Sequence, residues 1–89
     1  MQFEWDREKA KKNSRKHKVL FDEAMTVLYD PLSATFDDPD YSDDEQRLIT
    51  VGYSSHGRLL VVSHTERGKA IRIISARLAT TQERKRHEN

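Results

Sequence analysis

The stretch Ile71–Arg84, IRIISARLATTQER, decides how the C-terminal half of this chain folds. Ile71, Ile73 and Ile74 are β-branched residues that suit a pleated, half-buried strand. Thr80 and Glu83 then stand three apart, the spacing of a capping box with Thr80 as N-cap and Glu83 at N3. A strand over Lys69–Arg77 is therefore predicted to give way to a terminal helix reaching about Glu88. Arg72 and Arg77 are the anomaly. A guanidinium held within a strand needs a carboxylate, a carbonyl or a ligand phosphate to satisfy its planar fork.

Working outward, two more strand-like runs precede this one, Arg47–Tyr53 and Arg58–Thr65. The connections SSHG and ERG place Gly57 and Gly68 where a hairpin needs positive φ. Ser33–Phe36 suits a short strand, and the acidic loop DDPDYSDDEQ separates it from the meander. Upstream, Phe21, Ala24, Met25 and Leu28 fall at i, i+3, i+4 and i+7, so a helix with an inward apolar stripe is predicted. It must stop near Tyr29, because Pro31 pushes Asp30 out of the helical region. Asp6 is a good N-cap for the polar run REKAKKNSRKH, whose inward stripe is thin: Ala10, Asn13 or Ser14, and His17. Phe3 and Trp5 flank Glu4 as in a very short strand. The predicted order is β-α-α-β-β-β-β-α. This is an α+β domain with an antiparallel sheet, two N-terminal helices on one face and a short C-terminal helix.

Length and composition narrow the function. Eighty-nine residues at 35% hydrophobic content allow one domain, residues 1–89, with a small core. With no cysteine there is no disulfide, no zinc–thiolate site and no thiol nucleophile. The four histidines show no metal-ligand spacing, so no metal or other cofactor is expected. No apolar run approaches the roughly 20 residues that cross a bilayer, and the N-terminus has no apolar segment of signal-peptide type. A cytoplasmic protein without a membrane partner is expected. The net charge of +1 conceals segregation. Acids dominate residues 19–46, which hold no Lys or Arg at all, while bases dominate residues 1–18 and 47–77. Opposed fields of this kind suit a polyanion on one surface and a protein partner on another.

Period two sorts the strand side chains. Arg58, Leu60, Val62 and His64 share one face, with Leu59, Val61, Ser63 and Thr65 on the other. In the last strand Arg72, Ile74 and Ala76 oppose Ile71, Ile73, Ser75 and Arg77. Arg47, Arg58 and Arg77 sit at strand ends, where their stems can also snorkel to water. His64 fits a structural role or proton transfer. Glu83 fits the capping box or proton transfer. Sheet-borne Arg and His without metal or thiol would serve to cut a phosphodiester through the neighbouring 2′-hydroxyl, a chemistry restricted to RNA.

The motifs also resemble a known family from end to end. FEWD at residues 3–6, Lys9, Asn13 and Lys16-His17 open the match; Val19, Phe21, Glu23, Ala24 and Asp30-Pro31 continue it. RLITVG at 47–52, GRLLVV at 57–62, HTERG at 64–68, and IRIISAR at 71–77 with Ala79 and Glu83 complete it. These residues resemble the BrnT family of bacterial type II toxins. The resemblance implies a RelE-like fold and a ribonuclease that halts translation and growth. It also implies a BrnA-type ribbon-helix-helix antitoxin, with operator DNA contacted only through that partner. Catalytic roles are then expected for Arg47, His64, Arg72, Arg77 and Glu83, and RNA contacts for Lys16, His17 and Arg58, the arginines flanking the basic first helix. Trp5 or Tyr53 is an expected anchor for the antitoxin. The family's usual Gly and Ser before the second helix are Lys18 and Leu20 here. The alternative is a non-catalytic nucleic-acid- or protein-binding module, or a structural domain whose arginines pair with the acidic segment.

Overall fold

The computed structural model describes residues 1–40 and 46–88, so part of the acidic loop lies outside the described residues. The elements are β1 (Gln2–Glu4), α1 (Arg7–His17), α2 (Phe21–Val27), β2 (Ala34–Asp37), β3 (Arg47–Tyr53), β4 (Leu59–Arg67), β5 (Ala70–Leu78) and α3 (Thr81–Glu88). They form one five-stranded sheet in the order β1-β5-β4-β3-β2. β2 to β5 make the expected antiparallel meander. The sheet is not wholly antiparallel, however, because β1 adds to β5 in parallel, pairing Phe3 with Ile71. The two helices between β1 and the meander allow that return in the same direction.

Local signals explain the helices. Asp6 accepts from the amides of Glu8 and Lys9 at 2.8 and 3.1 Å, a side-chain N-cap for α1. Thr80 and Glu83 form the reciprocal capping box that starts α3, at 2.8 and 3.2 Å. Gly57 and Gly68 take φ of 74° and 60° in the two hairpin turns. α1 and α2 cover one face of the sheet, where Val19, Phe21, Ala24 and Val27 pack on Leu60, Val62, Ile73 and Ala76. Trp5 belongs to this cluster, edge-to-face with Phe21 at 5.9 Å, and is half-buried rather than an exposed anchor. Asn13, buried within α1, replaces a missing strand. β1 pairs only with Ala70–Arg72, and the Asn13 amide donates to Ala76 O at 2.8 Å and accepts from Ala76 N at 3.1 Å. Two buried backbone groups on the open edge of β5 are thus satisfied.

The α1–α2 corner carries two weak points. Lys18 adopts a left-handed conformation, φ 59° and ψ 35°, to close α1 onto Ser14 O. Leu20 caps α2 with no side-chain hydrogen bond and is exposed. Glycine is favoured at a left-handed C-terminal position, where a Cβ costs about 1 kcal/mol. Lys18→Gly is therefore expected to raise the melting temperature by roughly 5 °C. A calorimetric scan showing no rise would mean that the corner is held by packing alone.

Candidate active site

A break in the strand alternation decides where the arginines go. Ser63 pairs with Ser75 but His64 pairs with Ile73, so Ile74 is an extra residue, a β-bulge in β5. Strict alternation puts Arg72 and Arg77 on opposite faces; the bulge returns both to the same one. Arg72 lies across from Thr65, and Thr65 from Arg47, while Arg77 lies across from Val61. All three arginines therefore share the face opposite α1 and α2. The basic first helix packs on the other face, and its N-cap, Asp6, comes near Arg72.

α3 covers one end of that face. Its Glu83, Arg86 and His87, at i, i+3 and i+4, form one wall of a cleft of about 390 Å³. Ala34, Ile49, Val51 and Val61 make an apolar floor, Phe36 the far rim, and Arg77 stands beside the helical wall. Tyr53 supports α3 from below, with its ring 5.8 Å from that of His87 and its hydroxyl donating to Glu88.

Arg77 and Glu83 form a two-pronged pair, Nη1–Oε1 at 2.8 Å and Nη2–Oε2 at 2.9 Å. The Arg77 guanidinium, helped by the Thr80 amide, holds the Glu83 carboxyl down at about 2, and the pairing raises the Arg77 pKa. Glu83 is thus a carboxylate at neutral pH with no proton to give. It holds Arg77 and the start of α3, as the capping-box reading expects. Arg77 also donates from Nη1 to Leu78 O at 3.2 Å. Three of the five guanidinium donors are then occupied, and two remain for a phosphate.

The other expected site residues are placed elsewhere. Arg72 lies four residues of β4 from Arg77, about 13 Å along the sheet, and ion-pairs with Glu4 at 3.8 Å. Arg47 shares its row. His64 is not in the cleft. It is buried on the α1–α2 face, where Nε2 meets Thr50 Oγ1 at 2.7 Å and burial lowers its pKa. Nδ1 of this ring has no partner, so His64 is read as a neutral core residue. Arg58 is also committed: it makes a two-pronged pair with buried Glu23 and donates to Lys18 O at 3.2 Å. Lys16 and His17 lie on α1, across the sheet from the cleft. Arg86, His87 and Phe36 went unpredicted. Helical spacing from the Thr80–Glu83 box pointed to the first two, since Glu83, Arg86 and His87 fall on one face of α3. Among the described residues, no group of three or more His, Asp or Glu is arranged to hold a metal ion.

Comparison with known proteins bears on this arrangement. A family model described as the ribonuclease toxin, BrnT, of type II toxin–antitoxin systems matches residues 5–83. The chain belongs to the BrnT family. The fold is also similar to the 1.1 Å crystal structure of the Brucella abortus ribonuclease toxin BrnT, with a TM-score of 0.67 and 25% sequence identity. That alignment covers 91% of this chain and 99% of the Brucella chain. No curated protein matches the sequence. A BrnT-family member is a toxin of the ribonuclease type and has an antitoxin as its counterpart. In the α3 cleft, arginine, histidine and an open apolar floor meet.

Proposed function

We propose that this protein is an endoribonuclease that cuts RNA in the α3 cleft through the substrate's own 2′-hydroxyl, without a metal ion. His87 takes the 2′-hydroxyl proton, and the oxygen attacks the adjacent phosphorus. Arg77 and Arg86 hold the charge that builds on the phosphate oxygens. His87 returns the proton to the departing 5′-oxygen, so the products are a 2′,3′-cyclic phosphate and a 5′-hydroxyl. Arg47 and Arg72 extend the cationic face towards neighbouring phosphates. The observation that carries this reading is the meeting of Arg77, Arg86 and His87 around one cleft. Arg58, clasped to Glu23, and His64, buried on the opposite face, are left out, as are Lys16 and His17.

The same reading makes the protein cytoplasmic, RelE-like in ancestry and an inhibitor of translation. A BrnA-type antitoxin laid over the cleft silences it, and operator DNA is reached only through that partner. The deciding test is cleavage of a defined RNA oligonucleotide in excess EDTA, beside the same strand with one 2′-deoxy sugar at the cut. Scission of the first alone, leaving a cyclic phosphate, is expected. Scission of both strands rules out the 2′-hydroxyl route; retention of both without scission favours the binding module.

A further inference from the structure

Phe36 is half exposed on an edge strand, and nothing in catalysis by Arg77, Arg86 and His87 uses it. Register places it in one row with Ile49, Ser63 and Ser75, next to the row of Ala34, Val51, Val61 and Arg77. Phe36 and Arg77 therefore face the same cleft from strands three spacings apart, about 14 Å. The lining between them is Ala34, Ile49, Val51 and Val61, and the half-buried hydroxyls of Ser63 and Ser75 continue the Phe36 row beyond Ile49. The opposite wall carries Arg86 and His87, while its carboxylate, Glu83, is already paired with Arg77. A flat aromatic rim, an apolar floor and a cationic wall match the parts of a nucleotide in order: base, sugar and phosphate.

We propose that the floor beside Phe36 is a nucleobase subsite, which stacks one unpaired base of the RNA while Arg77 and Arg86 hold an adjoining phosphate. The proposal rests on the ribonuclease reading of the cleft. It names the substrate class as single-stranded RNA, because a duplex keeps its base faces stacked within the helix. Ala34, Ile49, Val51 and Val61 offer no donor or acceptor to a base edge, and only the Ser63 and Ser75 hydroxyls flank them, so discrimination among bases is weak and follows mainly stacking area. An apolar peptide segment is the less suitable occupant, since it would bring no counter-charge to Arg86 and no acceptor to the free donors of Arg77.

The test uses a short single-stranded RNA made uncleavable by a 2′-deoxy sugar at the cut, with 2-aminopurine as the fluorescent base. Binding is measured across salt for wild type, Phe36→Ala and Phe36→Tyr, each checked for folding by circular dichroism. Phe36→Ala is expected to weaken binding roughly ten-fold or more, with the salt slope unchanged because the phosphate contacts remain. Phe36→Tyr stays within about three-fold of wild type, since it keeps the ring. Equal binding by wild type and Phe36→Ala overturns the subsite, as does a Phe36→Ala loss confined to capture by the antitoxin. Phe36-dependent binding without cleavage of the all-ribose strand upholds the subsite and removes the ribonuclease reading. Cleavage indifferent to Phe36→Ala does the reverse, and absence of both binding and cleavage removes both.

Discussion

Arg77→Ala is expected to lower kcat for RNA cleavage by about 100-fold or more and to leave the protein folded. The magnitude follows from removing one preorganised donor aimed at developing charge. Arg77 is the cation best fixed for that task. Glu83 grips two of its nitrogens, Leu78 O accepts from a third donor, and the strand below holds its stem. The reorganisation of the guanidinium is thus completed before substrate arrives. Stability suffers little, because both side chains of the pair are substantially exposed, 41% and 30%, and such pairs contribute about 1 kcal/mol or less. The capping box survives the change, since Glu83 still accepts from the Thr80 amide. Arg77→Lys recovers only part of the rate, because a lysine is a single point charge that cannot hold Glu83 and phosphate together. Glu83→Gln acts through Arg77 and is expected to lose less than Arg77→Ala. Single-turnover cleavage of a defined oligonucleotide, beside circular dichroism, checks all three. A folded Arg77→Ala protein that cuts at the wild-type rate would place the scissile phosphate outside this cleft.

How far the sequence could be read depends on which physical rule governed each segment. Helix boundaries were legible because caps are local: Asp6 starts α1 and the Thr80–Glu83 box starts α3, each through side chains two or three residues from the amides they satisfy. Gly57 and Gly68 were legible for the same reason. Failure came where one residue broke the count. The bulge at Ile74 is invisible to a strict period of two, yet it decides that Arg72 and Arg77 share a face and that Ile73 and Ala76 share the core. The bulge also set the fate of the site, because His64 lies on the helix-covered face while the arginines do not. The pairing of Arg58 with Glu23 was not legible, because Glu23 lies 35 residues away and no spacing rule links α2 to the start of β4. The parallel return of β1 to β5 is a long-range pairing of three residues, too short to leave a pattern.

Glu23→Ala is expected to lower the melting temperature by roughly 10–20 °C while leaving cleavage per folded molecule unchanged. Glu23 is buried in α2, where Arg58 clasps it and Ser54 Oγ donates to it at 2.6 Å. Arg58 also holds Lys18 O, so one carboxylate joins α2, the β3–β4 turn, the start of β4 and the α1–α2 corner. Removing one partner of a fully buried pair costs about 3–5 kcal/mol. Here the Arg58 side chain is 35% exposed and can turn to water, so the cost is about 2–3 kcal/mol, which a domain of this size shows as the stated shift. Hydrogen bonding to Arg58 lowers the Glu23 pKa from 4.5 to about 2. A depressed carboxyl pKa means that the unfolded chain binds the proton first, so this stability is complete above pH 4.5 and is lost as pH falls towards 2. The gap in melting temperature between wild type and Glu23→Gln is accordingly widest near neutral pH and closes across that window. A gap that stayed constant with pH would show that Glu23 acts by packing rather than by charge. Arg58→Ala should share the loss of stability and keep RNA affinity, the opposite of Arg77→Ala. The two arginines lie on opposite faces of the sheet, so the two substitutions separate loss of fold from loss of cleavage.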